Sequence, residues 1–129
     1  MSYDGKMGEI RDIVESMTLS KVKSFYPESI QKAINLPLDE IVEKLEVLRH
    51  EEIVRLRFEV RCPNDYSVVE SVDDFRTIEG NIVECYKCGD SFEVTFQYIY
   101  PKYFITAEYC EYLKKKYQRK QVNKQEILM

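Results

Sequence analysis

Two short stretches constrain this chain more than any others: Arg61-Cys62-Pro63-Asn64-Asp65 and Glu84-Cys85-Tyr86-Lys87-Cys88-Gly89. The second is a Cys-x2-Cys knuckle. The first has the same form with one change, because Asp65 stands where a second cysteine would complete the pair. Ligand pairs at this spacing turn the chain tightly around a metal ion. The full pattern is Cys62-x2-Asp65, nineteen residues, Cys85-x2-Cys88. Three readings stay open at this point: a metal site with an unusual ligand, a site that has lost its metal, or ordinary turn residues.

Compartment bears on that choice. No run of about 18 apolar residues is present, so no membrane span is expected. The first residues, MSYDGKMGEIRD, have no apolar core that would act as a signal peptide. A cytosolic location is expected, and disulfides are rare there. The four cysteines are thus read as metal ligands or buried thiols. With 129 residues, 44% of them hydrophobic, the chain is long enough for one compact domain or two small units sharing a core.

Hydrophobic spacing places the elements. Ile10, Ile13, Val14 and Met17 fall on one helical face and predict a helix over about Met7 to Leu19. Pro27 suits the first turn of a second helix, with Ile30, Ala33 and Ile34 as its buried face. Leu38, Ile41, Val42, Leu45 and Leu48 form the apolar stripe of a third. From Val54 to Cys62 apolar and charged residues alternate, the mark of a half-buried strand. Tyr66 to Val72 reads as a returning strand and Asp73 to Asn81 as a loop. Ser91 to Tyr100 alternates again, with Phe92, Val94, Phe96, Tyr98 and Tyr100 on one face and Pro101 ending the strand. Thr106 can cap a last helix whose buried stripe is Cys110, Leu113 and Tyr117.

Three helices with a short turn between the second and third, then a strand, resemble a winged helix-turn-helix domain from about Tyr26 to Phe58. In that family the third helix usually ends in glycine; here His50, Glu51 and Glu52 occupy the place. The two knuckles resemble a zinc ribbon. The combined layout is similar to that of the alpha subunit of archaeal transcription factor E and of small bacterial proteins of like design. The resemblance implies an α+β fold in three parts. A winged-helix-like domain would span 1–60, an antiparallel zinc-ribbon-like β module 61–105, and a basic amphipathic helix with its tail 106–129.

The resemblance also implies one zinc ion. Cys62, Cys85 and Cys88 are thiolate ligands, and Asp65 supplies a carboxylate oxygen. Cys110 is the other candidate for fourth ligand, although its place in an apolar stripe fits a buried thiol better. Aspartate is also a common turn former, which is the bland reading of Asp65. A closed four-ligand site is structural and does no chemistry.

Catalysis is not expected. The single histidine, His50, falls at a helix C-terminus, where the dipole favours it. No nucleophile elbow or phosphate-binding glycine loop occurs. Two function classes remain. A DNA-binding transcriptional regulator would normally dock its third helix in the major groove and needs bases there. Residues 38–52 instead carry six acids against Lys44 and Arg49, a net charge of −4. Nucleic-acid contact would then fall to Arg55, Arg57 and Arg61 on the strand and to Lys115, Lys116, Arg119 and Lys120 in the basic tail. The expectation that fits the charge better is a non-catalytic interaction or regulatory subunit of a cytosolic prokaryotic complex, one that could act on nucleic acid. Glu40, Glu43, Tyr109 and Tyr112 are its candidate partner-binding residues, and a second copy of the chain is one candidate partner.

Overall fold

The structure is a computed structural model describing residues 2–128, with side chains described for 8–118. It has mixed α+β architecture: α1 (Ser2–Leu19), β1 (Ser24–Phe25), α2 (Pro27–Ala33), α3 (Leu38–His50), β2 (Val54–Arg61), β3 (Val68–Val72), β4 (Ile82–Glu84), β5 (Ser91–Glu93), β6 (Ile99–Ile105) and α4 (Ala107–Leu128). Four strands form an antiparallel-containing sheet in the order β1-β6-β2-β3, and β4 pairs with β5 in a separate hairpin. No helix among the described residues is long and apolar enough to cross a membrane.

The chain divides into two compact units. One comprises Met1–Arg55 and Phe104–Met129; the other is Leu56–Tyr103. The second unit is therefore an insertion, with the first unit built from chain on both sides of it.

In the first unit α1 packs against α2, α3 and α4, and α2 packs against α3. Ile10, Val14, Ile30, Ile41, Leu45, Leu48, Val54 and Leu113 are fully buried. Each such side chain stabilises the fold by roughly 1.5–3 kcal/mol relative to exposure. The stripe on α3 lies as its spacing demands, except that Leu38 at the helix start stays exposed. On α2, Ile30 and Ile34 are buried but Ala33 is exposed.

The helix ends follow local chemistry. Tyr26 is extended ahead of Pro27, because proline disfavours the helical region for its predecessor. Asp39 and Glu40 sit in the first turn of α3 and Arg49 and His50 in its last, all matched to the helix dipole. Beyond His50 the chain closes a Schellman turn: Ile53 N–H donates to Leu48 O at 3.0 Å, with Glu52 at φ +63°. Glycine usually fills that left-handed position. Glu52 adopts the conformation without it, and the helix stops there. Thr106 caps α4 by accepting from Tyr109 N–H at 3.2 Å and donating its hydroxyl to Glu52 O at 2.7 Å.

The second unit has little apolar interior. One apolar cluster there is Val60, Ile78 and Val94, flanked by half-buried Val72, Val83, Phe92 and Ile99, and Tyr103, Cys62 and Cys85 are also fully buried. Edge-to-face ring pairs, Phe58–Phe75 at 5.3 Å, Phe75–Phe96 at 5.7 Å and Phe92–Tyr98 at 5.6 Å, add to it. The long alternating strand expected over Ser91 to Tyr100 is not continuous. It breaks after Glu93 into a 3-10 turn at Phe96–Tyr98, which leaves Phe96 71% exposed. Pro101 does not end a strand but lies inside β6. The two-residue β1 is too short to pair along β6, so most of that flank is an edge that needs no proline N–H.

Candidate metal centre

The two knuckles share one backbone frame. Cys62 N–H donates to Ser67 O at 2.9 Å and Tyr66 N–H to Cys62 O at 2.9 Å. In the second loop Cys85 N–H donates to Asp90 O at 2.9 Å and Gly89 N–H to Cys85 O at 2.8 Å. The left-handed residue falls at the same step in each, Tyr66 at φ +60° and Gly89 at φ +83°. Superposed position by position, Cys62 matches Cys85, Asp65 matches Cys88, and Ser67 matches Asp90. Asp65 thus stands where the second knuckle has its second cysteine, and it also accepts the local turn bond from Ser67 N–H at 3.0 Å. A bulge in β2 between Val60 and Arg61 adjusts the register immediately before Cys62.

The side chains converge. The ligand atoms of Cys62, Asp65, Cys85 and Cys88 all lie within 4.8 Å of one another. Cys62 Sγ is 3.6 Å from Cys88 Sγ, and Cys85 Sγ is 3.8 Å from each Asp65 oxygen. Two sulfurs bound tetrahedrally at about 2.3 Å from one ion would stand about 3.8 Å apart, so the cluster has the right size for a single metal. Cys62 and Cys85 are buried, whereas Cys88 and Asp65 are exposed. Cys110 is not among these residues: it sits half-buried on α4 in the first unit, beside a cavity lined by Leu19, Val22 and Leu113.

Supporting polar groups hold the ligands. Asp65 Oδ1 accepts from Ser67 N–H at 3.0 Å and from the Ser67 hydroxyl at 2.7 Å. Asn64 ties the knuckles together, its Nδ2 donating to Asp90 Oδ2 at 2.8 Å and to Cys88 Sγ at 3.8 Å, while its backbone N–H approaches Cys62 Sγ at 3.4 Å. Burial pushes the Cys62 thiol up to about 11. The Ser67 hydroxyl, then the Cys88 and Lys87 N–H groups, bring Cys85 down to about 7. The Ser67 bonds also hold the Asp65 carboxyl below its usual range. Ser67 has one hydroxyl proton, and Asp65 at 2.7 Å and Cys85 at 3.3 Å compete for it. A cation among the ligands would stabilise both anions at once. Residues that orient ligands typically contribute 10–100-fold in metal affinity. Ser67→Ala is therefore expected to weaken metal binding about 10-fold, read by competition with a chromophoric chelator; unchanged affinity would show that Asp65 needs no such support.

Ser67, Asn64 and Asp90 were not apparent as site residues from the cysteine spacing. The signal was present: aligning residues 61–67 on 84–90 puts Ser67 and Asp90 at one position, two past each knuckle's second ligand.

The charged candidates are dispersed. Arg57 donates to Asp73 at 2.7 Å and to Ser71 O at 2.9 Å. Arg61 pairs with Glu59 at 2.9 Å and lies over the Tyr100 ring, and Lys102 joins Glu59 at 3.3 Å. Arg55 is exposed in the first unit. Lys115 is exposed, and Lys116 sits 3.8 Å from Glu15. Arg119 and Lys120 lie outside the residues whose side chains are described. On α3, Glu40 and Glu43 are exposed, while Lys44 is drawn inside to 3% exposure and Arg49 pairs with Glu46 at 2.8 Å. Tyr109 and Tyr112 stack with ring centres 6.1 Å apart. They line a cavity of about 420 Å³ with Arg11, Glu51 and Lys116. Arg11 pairs with Glu51 and holds that carboxyl below its usual range.

Compared with known proteins, the chain matches no family model, no curated protein and no solved structure.

Proposed function

We propose that this protein is a zinc-braced, non-catalytic interaction subunit of a larger cytosolic prokaryotic complex. The zinc reading rests on the donor set. Three thiolates with one carboxylate suit a borderline-soft ion, whereas calcium and magnesium require oxygen ligands throughout. Four protein ligands leave no open position, so the ion's role is structural. The second unit also needs a brace, because Val60, Ile78 and Val94 make a small core for a chain segment of its length.

The element order supports a winged-helix reading of the first unit: three helices, a short first strand after α1, and a sheet in which β6 lies between β1 and β2. In this reading the hairpin that forms the wing is opened to carry the knuckles, so the ribbon interrupts the winged helix.

The observation that carries the interaction reading is the charge of α3. Its exposed surface presents Asp39, Glu40 and Glu43, while its one lysine is buried and Arg49 is engaged by Glu46. A helix so charged repels a phosphate backbone and suits a basic protein surface. The test is a tagged pull-down from the native host, with and without nuclease, using the wild type and Glu40→Lys/Glu43→Lys. A stoichiometric protein that survives nuclease and is lost or at least 10-fold depleted with the double variant is the expected result. Partners that vanish with nuclease, with DNA recovered from the untreated sample, would favour a DNA-binding regulator instead.

A further inference from the structure

The knuckle thiols hold a second capability, which rests on reading the cluster as a metal centre. We propose that Cys62 and Cys88 form an oxidisable pair, which hydrogen peroxide converts into a disulfide that links the two knuckles and displaces the ion. The replacement of cysteine by Asp65 dictates the pairing. Cys62 has no thiol partner within its own knuckle, so any disulfide it makes inside this cluster must cross to the other. Of the two thiols there, Cys88 stands 3.6 Å away, a distance short enough for the sulfurs to share a proton, and Cys85 also approaches Cys62. Cys85 is turned toward Ser67 at 3.3 Å and Asp65 at 3.8 Å.

Exposure sets the order of events. Cys88 is exposed and Cys62 is fully buried, so oxidant meets Cys88 first. The Cys88 sulfur attacks a peroxide oxygen; the O–O bond breaks, a sulfenic acid forms, and water leaves after protonation. The Cys62 sulfur then attacks the Cys88 sulfur, an S–S bond forms as the S–O bond breaks, and a second water leaves. Two electrons have passed from the two sulfurs to the peroxide. The gap closes from 3.6 Å to the bonding distance of about 2.05 Å. Two of four ligands are consumed, and Cys85 with Asp65 alone cannot complete a tetrahedral site. The knuckles remain joined, now covalently.

The experiment uses the full chain carrying Cys110→Ser, so that only the three knuckle thiols remain. Zinc content is first measured by elemental analysis. Hydrogen peroxide is then added, zinc release is followed with a chromophoric chelator, and disulfides are mapped by non-reducing peptide mass spectrometry. The expected result is release of the bound zinc together with a Cys62–Cys88 cross-linked peptide, an alkylatable Cys85, and reversal by dithiothreitol and fresh zinc. Adding Cys62→Ser should remove the cross-link. A Cys85–Cys88 disulfide, sulfinic acids without a cross-link, or full retention of zinc would overturn the proposal. Protein that takes up no zinc before oxidation overturns the metal reading and the displacement with it, and the peptide map of that metal-free protein separately decides the pairing.

Discussion

Cys85→Ser is expected to reduce bound zinc from about one equivalent to below about one tenth, measured by elemental analysis on protein purified without added metal. Cys85 is fully buried at the start of its knuckle and faces both Asp65 and Ser67. A serine hydroxyl there is a poor zinc ligand and leaves a two-thiolate, one-carboxylate remnant. The structural consequence should exceed the chemical one. Metal binding free energy is folding free energy where the apolar core is small, and the second unit rests on Val60, Ile78 and Val94. Its thermal transition should therefore fall by roughly 10 °C or more, or lose cooperativity, and a chelator should reproduce the loss in the wild type. Acid should do so too, since protons compete with the ion for the three sulfurs and the carboxylate. Asp65→Cys should act in the opposite sense, tightening zinc by completing a four-thiolate set. Equal zinc content in wild type and Cys85→Ser would refute the assignment of that ligand.

Leu45→Ala should produce a loss of similar size with none of these metal signatures. Leu45 is fully buried on α3, between Ile41 and Leu48, in the unit that holds α1 and α4. Truncating a buried leucine removes its transfer free energy and leaves a cavity, together about 2–5 kcal/mol. For a unit of this size that corresponds to a fall in Tm of roughly 10 °C or more. Zinc content should stay at the wild-type value, because the four clustered residues all lie in the second unit. Loss of zinc on Leu45→Ala would mean that the second unit does not hold its fold without the first.

Local patterns made much of this legible. The α3 stripe, Pro27 at the head of α2 and Thr106 as the cap of α4 each follow from one dominant local force, and each forms as that force requires. The knuckle ligands were legible for a related reason: four residues at fixed spacing can converge only in a few ways, and they do converge. What the sequence hid depends on long-range pairing. Alternation from Phe92 to Tyr100 cannot reveal that the chain turns at Phe96, because Val94 is claimed by the core with Val60 and Ile78 while Phe96 instead meets Phe75. Pro101 reads as a stop unless one knows that β1 is only two residues long. Lys44 and Arg49 count as exposed bases in the sequence, yet one is buried and the other paired.

The insertion has a consequence for the order in which the chain folds. Thr106 bonds to Glu52 and Ile53, so the first unit is complete only when positions on either side of Leu56–Tyr103 meet. For a disordered insert that meeting carries a loop-closure entropy rising as about (3/2)RT ln n. An insert that folded first around a bound ion would present β2 and β6 as neighbouring strands, with its two ends side by side. Zinc would then act as a kinetic clasp for residues it never touches. Refolding of the helical unit should be faster in zinc than in chelator, and identical stopped-flow rates in the two would show that the ends find each other unaided.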